Sequence, residues 1–223
     1  MILFKYIKRK YLIEFRKTGK IRIGTLYDYR TAEGAIQDKS EGCITYICNP
    51  SDEKVELNPE EASKLFFPNK LNGGMVIMPK SSVERINTVL DTFVYCTSLI
   101  YDKELETKFE CDSYFIINDL SQFAKMIHDE LKNKHFPMQD YNMRKVNYVN
   151  KKTIFITNAN KTEVIENISN DPWEGFFVKP QSNYSDEKEF RMVFPPEPDV
   201  SIPKYIDLTL PKLGRCCKFP IKT

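Results

Sequence analysis

The chain has 223 residues, 41% of them hydrophobic, and its 15 Phe and 12 Tyr supply ample material for a packed core. That composition excludes a disordered chain, which carries few aromatics. Lys+Arg 33 against Asp+Glu 31 leaves a net charge of +2, so no global polycation compels nucleic-acid binding, while a local basic face stays open.

The chain begins Met1-Ile-Leu-Phe-Lys5, and no apolar run approaches the length of a membrane span. No charged-then-apolar export signal precedes the first element. A cytoplasmic protein without membrane association is therefore expected, with reduced thiols at Cys43, Cys48, Cys96, Cys111, Cys216 and Cys217, which form no CxxC pair. His128 and His135 find no Cys or carboxylate spacing to complete a zinc site, so no metal is expected.

In chain order, Ile7 to Lys17 predicts a helix with apolar Ile7, Tyr11, Leu12 and Phe15, stopped by Gly19. Lys20 to Tyr27 alternates as a strand. Asp28 to Gly42 is polar and carries Arg30, Glu33, Asp38 and Glu41; it reads as a long exposed loop of the kind that often holds function. Cys43–Cys48 is a short β-type run, and Asn58-Pro59-Glu60-Glu61 opens a helix with a cap, a first-turn Pro and acids facing the dipole. Strands follow at Gly74–Met78, Thr92–Ile100 and Ser113–Asn118. Leu120 to Lys132 is the clearest helix, with Leu120, Phe123, Ala124, Ile127 and Leu131 on one stripe. Further strands are expected at Lys145–Val149, Thr153–Thr157, Gly175–Val178, Glu187–Phe194 and Tyr205–Leu210, with Pro195 to Pro203 as a linker.

About ten short strands and a few helices, not alternating as βαβ, predict an α+β fold. The expected architecture is one domain over 1–223, largely antiparallel, with flanking helices. The Gly73-Gly74 pair marks a turn. Neither GxGxxG nor GxxxxGK[ST] occurs, which disfavours the common dinucleotide and triphosphate folds.

The segment Tyr184-Ser-Asp-Glu-Lys-Glu-Phe-Arg-Met-Val-Phe194 carries the most chemistry. From Glu187 it alternates, with Glu187, Glu189 and Arg191 on one face and Phe190, Met192 and Phe194 on the other. Two carboxylates and a guanidinium would then project side by side from a half-buried strand. The same pattern also suits a solvated sheet face.

Three segments gain weight from their order: Leu3-Phe-Lys5-Tyr6-Ile with its helix, Gly19 and Lys20-Ile-Arg22-Ile; Tyr95-Cys-Thr97-Ser98; and Glu187-Lys-Glu189. In this order they resemble the three core motifs of the ADP-ribosyltransferase superfamily: a basic residue on the first strand, a Ser-Thr-Ser-like strand and a late Glu-x-Glu strand. Lys5 stands where that superfamily usually has Arg or His, and Cys96-Thr97-Ser98 replaces Ser-Thr-Ser. The chain also resembles an uncharacterised bacterial domain family through Lys5-Tyr6, Gly19-Lys20-Ile21-Arg22, Glu33-Gly34 or Glu41-Gly42, Lys179, and the closing Glu187-Lys188-Glu189-Phe190-Arg191 strand.

The resemblance implies a split or two-layer sheet, NAD as substrate, and an ADP-ribosyltransferase or NAD glycohydrolase activity. It implies the context of a bacterial toxin or phage-defence effector, with a nucleic-acid or protein acceptor and an inhibitor or antitoxin partner. Breaking the nicotinamide–ribose bond passes through an oxocarbenium-like cation. Glu189 would stabilise that cation, and Glu187 would orient or deprotonate the acceptor. Thr97 or Ser98 would hold the glutamate's rotamer, Arg22, Lys5 or Arg191 would meet the dinucleotide's charge, and Tyr6, Tyr27 or Tyr95 would stack on nicotinamide.

Other readings stay open at the level of sequence. Thr97 and Ser98 suit ordinary sheet hydroxyls, Arg22 an exposed cross-strand partner, and Tyr6 and Tyr27 core-edge aromatics. Cys96 is either a nucleophile or a buried inert thiol. Asp186-Glu187-Lys188 echoes the acid-x-Lys strand of metal-dependent nucleases. Arg144, Lys145, Lys151 and Lys152, with Tyr141, Tyr148 and Phe155 interleaved, suit either solvated lysines or a nucleic-acid track. The alternatives to an enzyme are a non-catalytic nucleotide or nucleic-acid binding module, or a protein-interaction domain of a defence system that docks through Glu33–Glu41 and Trp173.

Overall fold

The computed structural model describes residues 1–31, 42–50, 53–65, 74–88, 91–149, 153–171 and 173–220. Its first half runs β1 (Leu3–Ile7), α1 (Arg9–Thr18), β2 (Lys20–Thr25), α2 (Leu26–Thr31), β3 (Cys43–Cys48), β4 (Val55–Leu57), α3 (Pro59–Leu65), β5 (Met75–Ile77), β6 (Val83–Thr88), β7 (Phe93–Ser98) and α4 (Lys103–Lys108). The second half runs β8 (Ser113–Ile117), α5 (Leu120–Asn133), β9 (Asn142–Lys145), β10 (Asn147–Val149), β11 (Thr153–Phe155), α6 (Lys161–Asn170), β12 (Val178–Pro180), α7 (Gln181–Tyr184), β13 (Glu189–Phe194), β14 (Tyr205–Thr209) and β15 (Cys217–Lys218). The fold is α+β with largely antiparallel sheets, as the sequence pattern predicts. The chain folds into two compact units, Met1–Glu41 with Leu90–Tyr148 and Ser182–Thr223, and Gly42–Val89 with Val149–Gln181.

The larger unit is organised by β7. Along one edge all six of its residues pair with β13, from Glu189 opposite Ser98 to Phe194 opposite Phe93, and β9 pairs with β13 beyond it. The other edge is shared. β1 meets the end of β7 at Phe4 opposite Ser98, whereas β2 meets its start at Gly24 opposite Val94 and Thr25 opposite Phe93. The sheet therefore forks along this edge, with β2 and β14 in one arm and β1, β8 and β15 in the other.

One face of this sheet is apolar. Leu3, Ile21, Ile23, Phe93, Tyr95, Phe115, Ile117, Phe190, Met192 and Phe194 pack there against Leu12 and Phe15 of α1 and the Phe123, Ala124, Ile127 and Leu131 stripe of α5. α5 begins where Asp119 accepts the Gln122 amide at 3.1 Å, a side-chain cap for an otherwise unpaired donor. α1 ends at Gly19, left-handed at φ 71°, whose amide reaches the Phe15 carbonyl. His128 is buried on α5, with Nε2 2.9 Å from the Gln139 carbonyl oxygen.

In the smaller unit β3 is central, antiparallel to β6 and parallel to β11, and β4 pairs with β5. Its separate core joins Ile44, Tyr46, Cys48, Val55, Leu57, Ala62, Leu65, Ile77, Ile156 and Val164. α3 starts with a reciprocal cap: Glu61 N–H donates to Asn58 at 2.9 Å and Asn58 N–H to the Glu61 carboxylate at 2.8 Å.

Several elements depart from the sequence expectation. Residues 26–31 form α2, not the end of a strand at Leu26 and Tyr27 followed by a loop from Asp28. Its first turn is fixed from outside: Leu26 N–H donates to the Thr92 carbonyl, Tyr27 N–H to Asp91 and Asp28 N–H to the Thr25 hydroxyl. Lys145–Val149 divides into β9 and β10. Gly175 lies in a 3-10 turn, with the strand displaced to Val178–Pro180. Glu33, Gly34, Asp38, Glu41, Gly73, Lys151 and Lys152, all singled out from the sequence, lie outside the described residues.

Candidate functional site

The three motif strands are neighbours, in the order β1, β7, β13. Register places Ser98, Cys96 and Val94 on the same side of the sheet as their partners Glu189, Arg191 and Val193. This is the face opposite the apolar core, because Thr97, Tyr95 and Phe93 pair with core residues Phe190, Met192 and Phe194.

On that face Glu189 and Arg191 form a fork-to-fork ion pair. Arg191 Nε donates to Oε1 at 2.7 Å and Nη2 to Oε2 at 3.3 Å. The residues are 4% and 1% exposed, so the pair sits where Coulomb attraction is strong and desolvation costly. Strand spacing explains the pairing: residues two apart point the same way. The Glu189 N–H donates to the Tyr148 hydroxyl at 2.8 Å, which ties the first residue of β13 to the middle of β10.

Lys5 enters from the fork. Its Nζ donates to the Cys96 carbonyl at 2.8 Å and lies 4.5 Å from the centroid of the Tyr95 ring. Cys96 sits between Val94, paired to β2, and Ser98, paired to β1, so the ammonium fills the gap in the ladder where the arms separate. Burial pushes the Lys5 pKa down, while the charges of Cys96, Cys111 and Glu189 pull it back up. Tyr29 of α2 completes the group. Its ring lies over Gly24, and burial first, then Cys96, raises its pKa well above the phenol's ordinary value.

The predicted site residues thus divide. Ser98, Glu189 and Arg191 share the face opposite the core, whereas Lys5 pairs with core residue Phe115, two residues from core residue Leu3, and reaches the Cys96 carbonyl from the core side against the Tyr95 ring. Thr97 lies on the core face, where its hydroxyl donates to the Phe190 carbonyl at 2.9 Å. The Ser98 hydroxyl donates to the Glu187 carbonyl at 2.7 Å. Both hydroxyls therefore brace backbone, and the Glu189 rotamer is held by Arg191.

Glu187 does not share the strand face of Glu189. It lies in a 3-10 turn before β13, and its carboxylate meets Lys108 of α4 at 3.1 Å. Lys188 between them is left-handed, at φ 44° and ψ 48°, which breaks the two-residue periodicity. Lys108 also holds Asp186 at 3.1 Å. The expected half-exposed ladder is instead a fully buried strand, also paired on both edges.

Arg22, Tyr27 and Tyr6 are placed elsewhere. Arg22 forks Asp207 of β14 at 2.8 and 3.0 Å, on an exposed cross-strand pair. Tyr27 is 46% exposed beneath Lys204. Tyr6 bonds the Ile100 and Asp102 carbonyls and accepts from the Asp102 amide. Tyr95 faces the core against Phe123. From the basic stretch, Arg144 stands opposite Arg191, Lys145 is exposed, and Tyr141 packs on Phe194 and His128. Trp173 packs on Phe176 in its own turn.

Sequence reasoning missed Tyr29, Lys108 and the Tyr148 hydroxyl. The first had a signal: Thr25-Leu-Tyr-Asp28 has the spacing of a capping box, and a helix from Leu26 brings Tyr29 back over the strand. Among the described residues no group of three or more His, Cys, Asp or Glu side chains is placed to hold a metal ion, and no helix is long and apolar enough to cross a membrane. Comparison with protein-family models, with curated proteins and with solved structures finds no match for this chain.

Proposed function

We propose that the protein cleaves the nicotinamide–ribose bond of NAD, passing ADP-ribose to water or to an acceptor. The observation that carries this reading is the register: Glu189 on β13 stands directly opposite Ser98 on β7, whose other edge pairs with β1, the strand bearing Lys5. In the reaction nicotinamide leaves with the bonding electron pair, positive charge develops on the ribose, and the acceptor oxygen adds and loses its proton to solvent. Glu189 is the group that faces this charge, and Arg191 keeps its carboxylate oriented, so that little reorganisation accompanies the reaction. Glu187 takes no part in this scheme, because its carboxylate is turned to Lys108. Loss of NAD harms a cell, so such an activity suits a toxin or a phage-defence effector.

The burial of Glu189 favours one further reading, a nucleotide-binding module that does not cleave its ligand. One experiment separates the two. Purified protein is incubated with NAD labelled in nicotinamide, with and without cell extract, and its melting temperature is measured with NAD. Release of nicotinamide by the wild type, abolished in a folded Glu189→Gln variant, supports cleavage. No release, together with a rise in melting temperature, leaves the binding module.

A further inference from the structure

We infer that the outer face of α1 binds single-stranded nucleic acid, with phosphates held by Arg9, Lys10, Arg16 and Lys17 and a base stacked on Tyr11. None of the three motif strands contributes to this surface, and the inference stands whether or not the protein cleaves NAD.

Charge is unevenly spread along the chain. Residues 8–22 hold seven of the 33 basic residues and one of the 31 acidic ones, so the remainder is acidic, 26 against 30. Glu14, the lone acid of that stretch, is held by Lys20 at 3.1 Å, and Arg22 is neutralised by Asp207. Among the described residues no carboxylate pairs with the side chains of Arg9, Lys10, Arg16 or Lys17, and all four are exposed. Helical spacing sets them in two rows, Arg9 with Arg16 and Lys10 with Lys17, each pair two turns or roughly 10 Å apart. Lys212 and Arg215 are exposed on the turn that the bond from the Leu210 N–H to the Gly19 carbonyl holds at the end of α1.

Helix stability does not explain this pattern. Arg16 and Lys17 in the last turn suit the helix dipole, but Arg9 and Lys10 in the first turn oppose it, and the first turn of α1 has no acid of its own. Asp112, which accepts the Arg9 amide at 2.5 Å, offsets part of that cost. A polyanion laid along the helix supplies the rest of the counter-charge. Tyr11 adds an aromatic surface: it is 50% exposed, with the Lys10 ammonium 4.8 Å from its ring centroid. A cation beside an exposed ring is the combination that meets the phosphate and the base of a single strand. An anionic membrane fits less well, because α1 turns Leu12 and Phe15 into the core and has no apolar stripe left to insert.

The test is fluorescence anisotropy of a labelled oligodeoxythymidine of about 16 nucleotides with the full chain, repeated across salt concentrations. Four phosphate contacts predict a slope of log K against log salt of about −2.8, and Lys10→Ala with Lys17→Ala should make it shallower by about 1.4. Lys132→Ala with Lys134→Ala, the same loss of charge at the end of α5, should leave the slope unchanged. Tyr11→Ala should weaken binding about five- to a hundredfold at constant salt and leave the slope alone. Alanine favours helix, so these variants keep the fold, which melting temperatures near wild type verify. Wild type that fails to bind at low salt overturns the inference, as does a slope unmoved by the α1 pair or moved equally by the α5 pair. Tyr11→Ala bound as tightly as wild type overturns it too. So does tighter binding to duplex DNA of the same length, or to phosphatidylserine vesicles at matched charge. Glu189→Gln should bind the oligonucleotide as wild type does, so failure of the NAD reading and failure of this one are read separately.

Discussion

Glu187 and Glu189 are two residues apart yet serve different partners: Glu187 meets Lys108 at 3.1 Å, and Glu189 meets Arg191 at 2.7 Å. The left-handed Lys188 between them turns one carboxylate out of the strand before the other enters it. An L side chain pays about 1–2 kcal/mol for that conformation, and glycine does not. Lys188→Gly should therefore unfold in urea within about 1 kcal/mol of wild type, whereas Lys188→Val, branched at Cβ, should lose about 1–2 kcal/mol. Equal losses in the two variants would show that the side chain, not the backbone, matters at this position.

The Glu189–Arg191 pair gives a second expectation. Arg191 is 1% exposed, so removing either partner strands a charge. Arg191→Met alone should cost about 3–5 kcal/mol, while Glu189→Leu combined with Arg191→Met should cost clearly less than the sum of the two single changes. A double-mutant cycle from denaturant unfolding measures the coupling, and additive losses would contradict it.

Gly19 supplies a backbone test remote from the site. Its φ is 71°, and an added Cβ would lie 1.9 Å from the Leu210 carbonyl oxygen. Gly19→Ala must move the β14 end of the sheet as well as strain its own backbone. A loss of roughly 2–4 kcal/mol is expected, seen as a lowered urea midpoint.

The Arg22–Asp207 pair predicts a pH effect of defined sign. The hydrogen bond from Arg22 holds the Asp207 pKa below its ordinary 3.8. The folded state thus binds this proton less readily than the unfolded one. The stabilisation is fully present above 3.8 and fades as pH falls through the lower folded value. The side chains are 60% and 36% exposed, so Asp207→Asn should cost less than about 1 kcal/mol at neutral pH and flatten the acid limb of the stability curve. Arg22→Ala should leave NAD turnover unchanged.

Much of the fold was legible because its signals are local. The apolar stripe of α5, the Gly19 stop and the Asn58–Glu61 cap each need only a few consecutive residues, and each forms as expected. α2 escaped because polar Asp28 and Arg30 mask a helix whose first amides are satisfied by Asp91 and Thr92, over sixty positions away. The site was half legible. Order along the chain pointed to Lys5, Ser98 and Glu189, but strand periodicity could not foresee that Lys188 breaks the pattern. Nor could it foresee that Arg22 finds Asp207, since cross-strand partners are set by register.

The forked edge of β7 has a consequence for how the molecule breathes. One arm is anchored there through Phe4 and Ser98, the other through Gly24, Thr25 and their partners. Among the described residues neither arm pairs with the other in the sheet order, so each can detach from the shared strand on its own. Amide exchange should accordingly resolve two opening events of different free energy, one through β2 and β14 and one through β1, β8 and β15, with β7 and β13 protected longest. Lys5, bonded to the strand that both arms share, would then report on the second event while standing at the edge of the first.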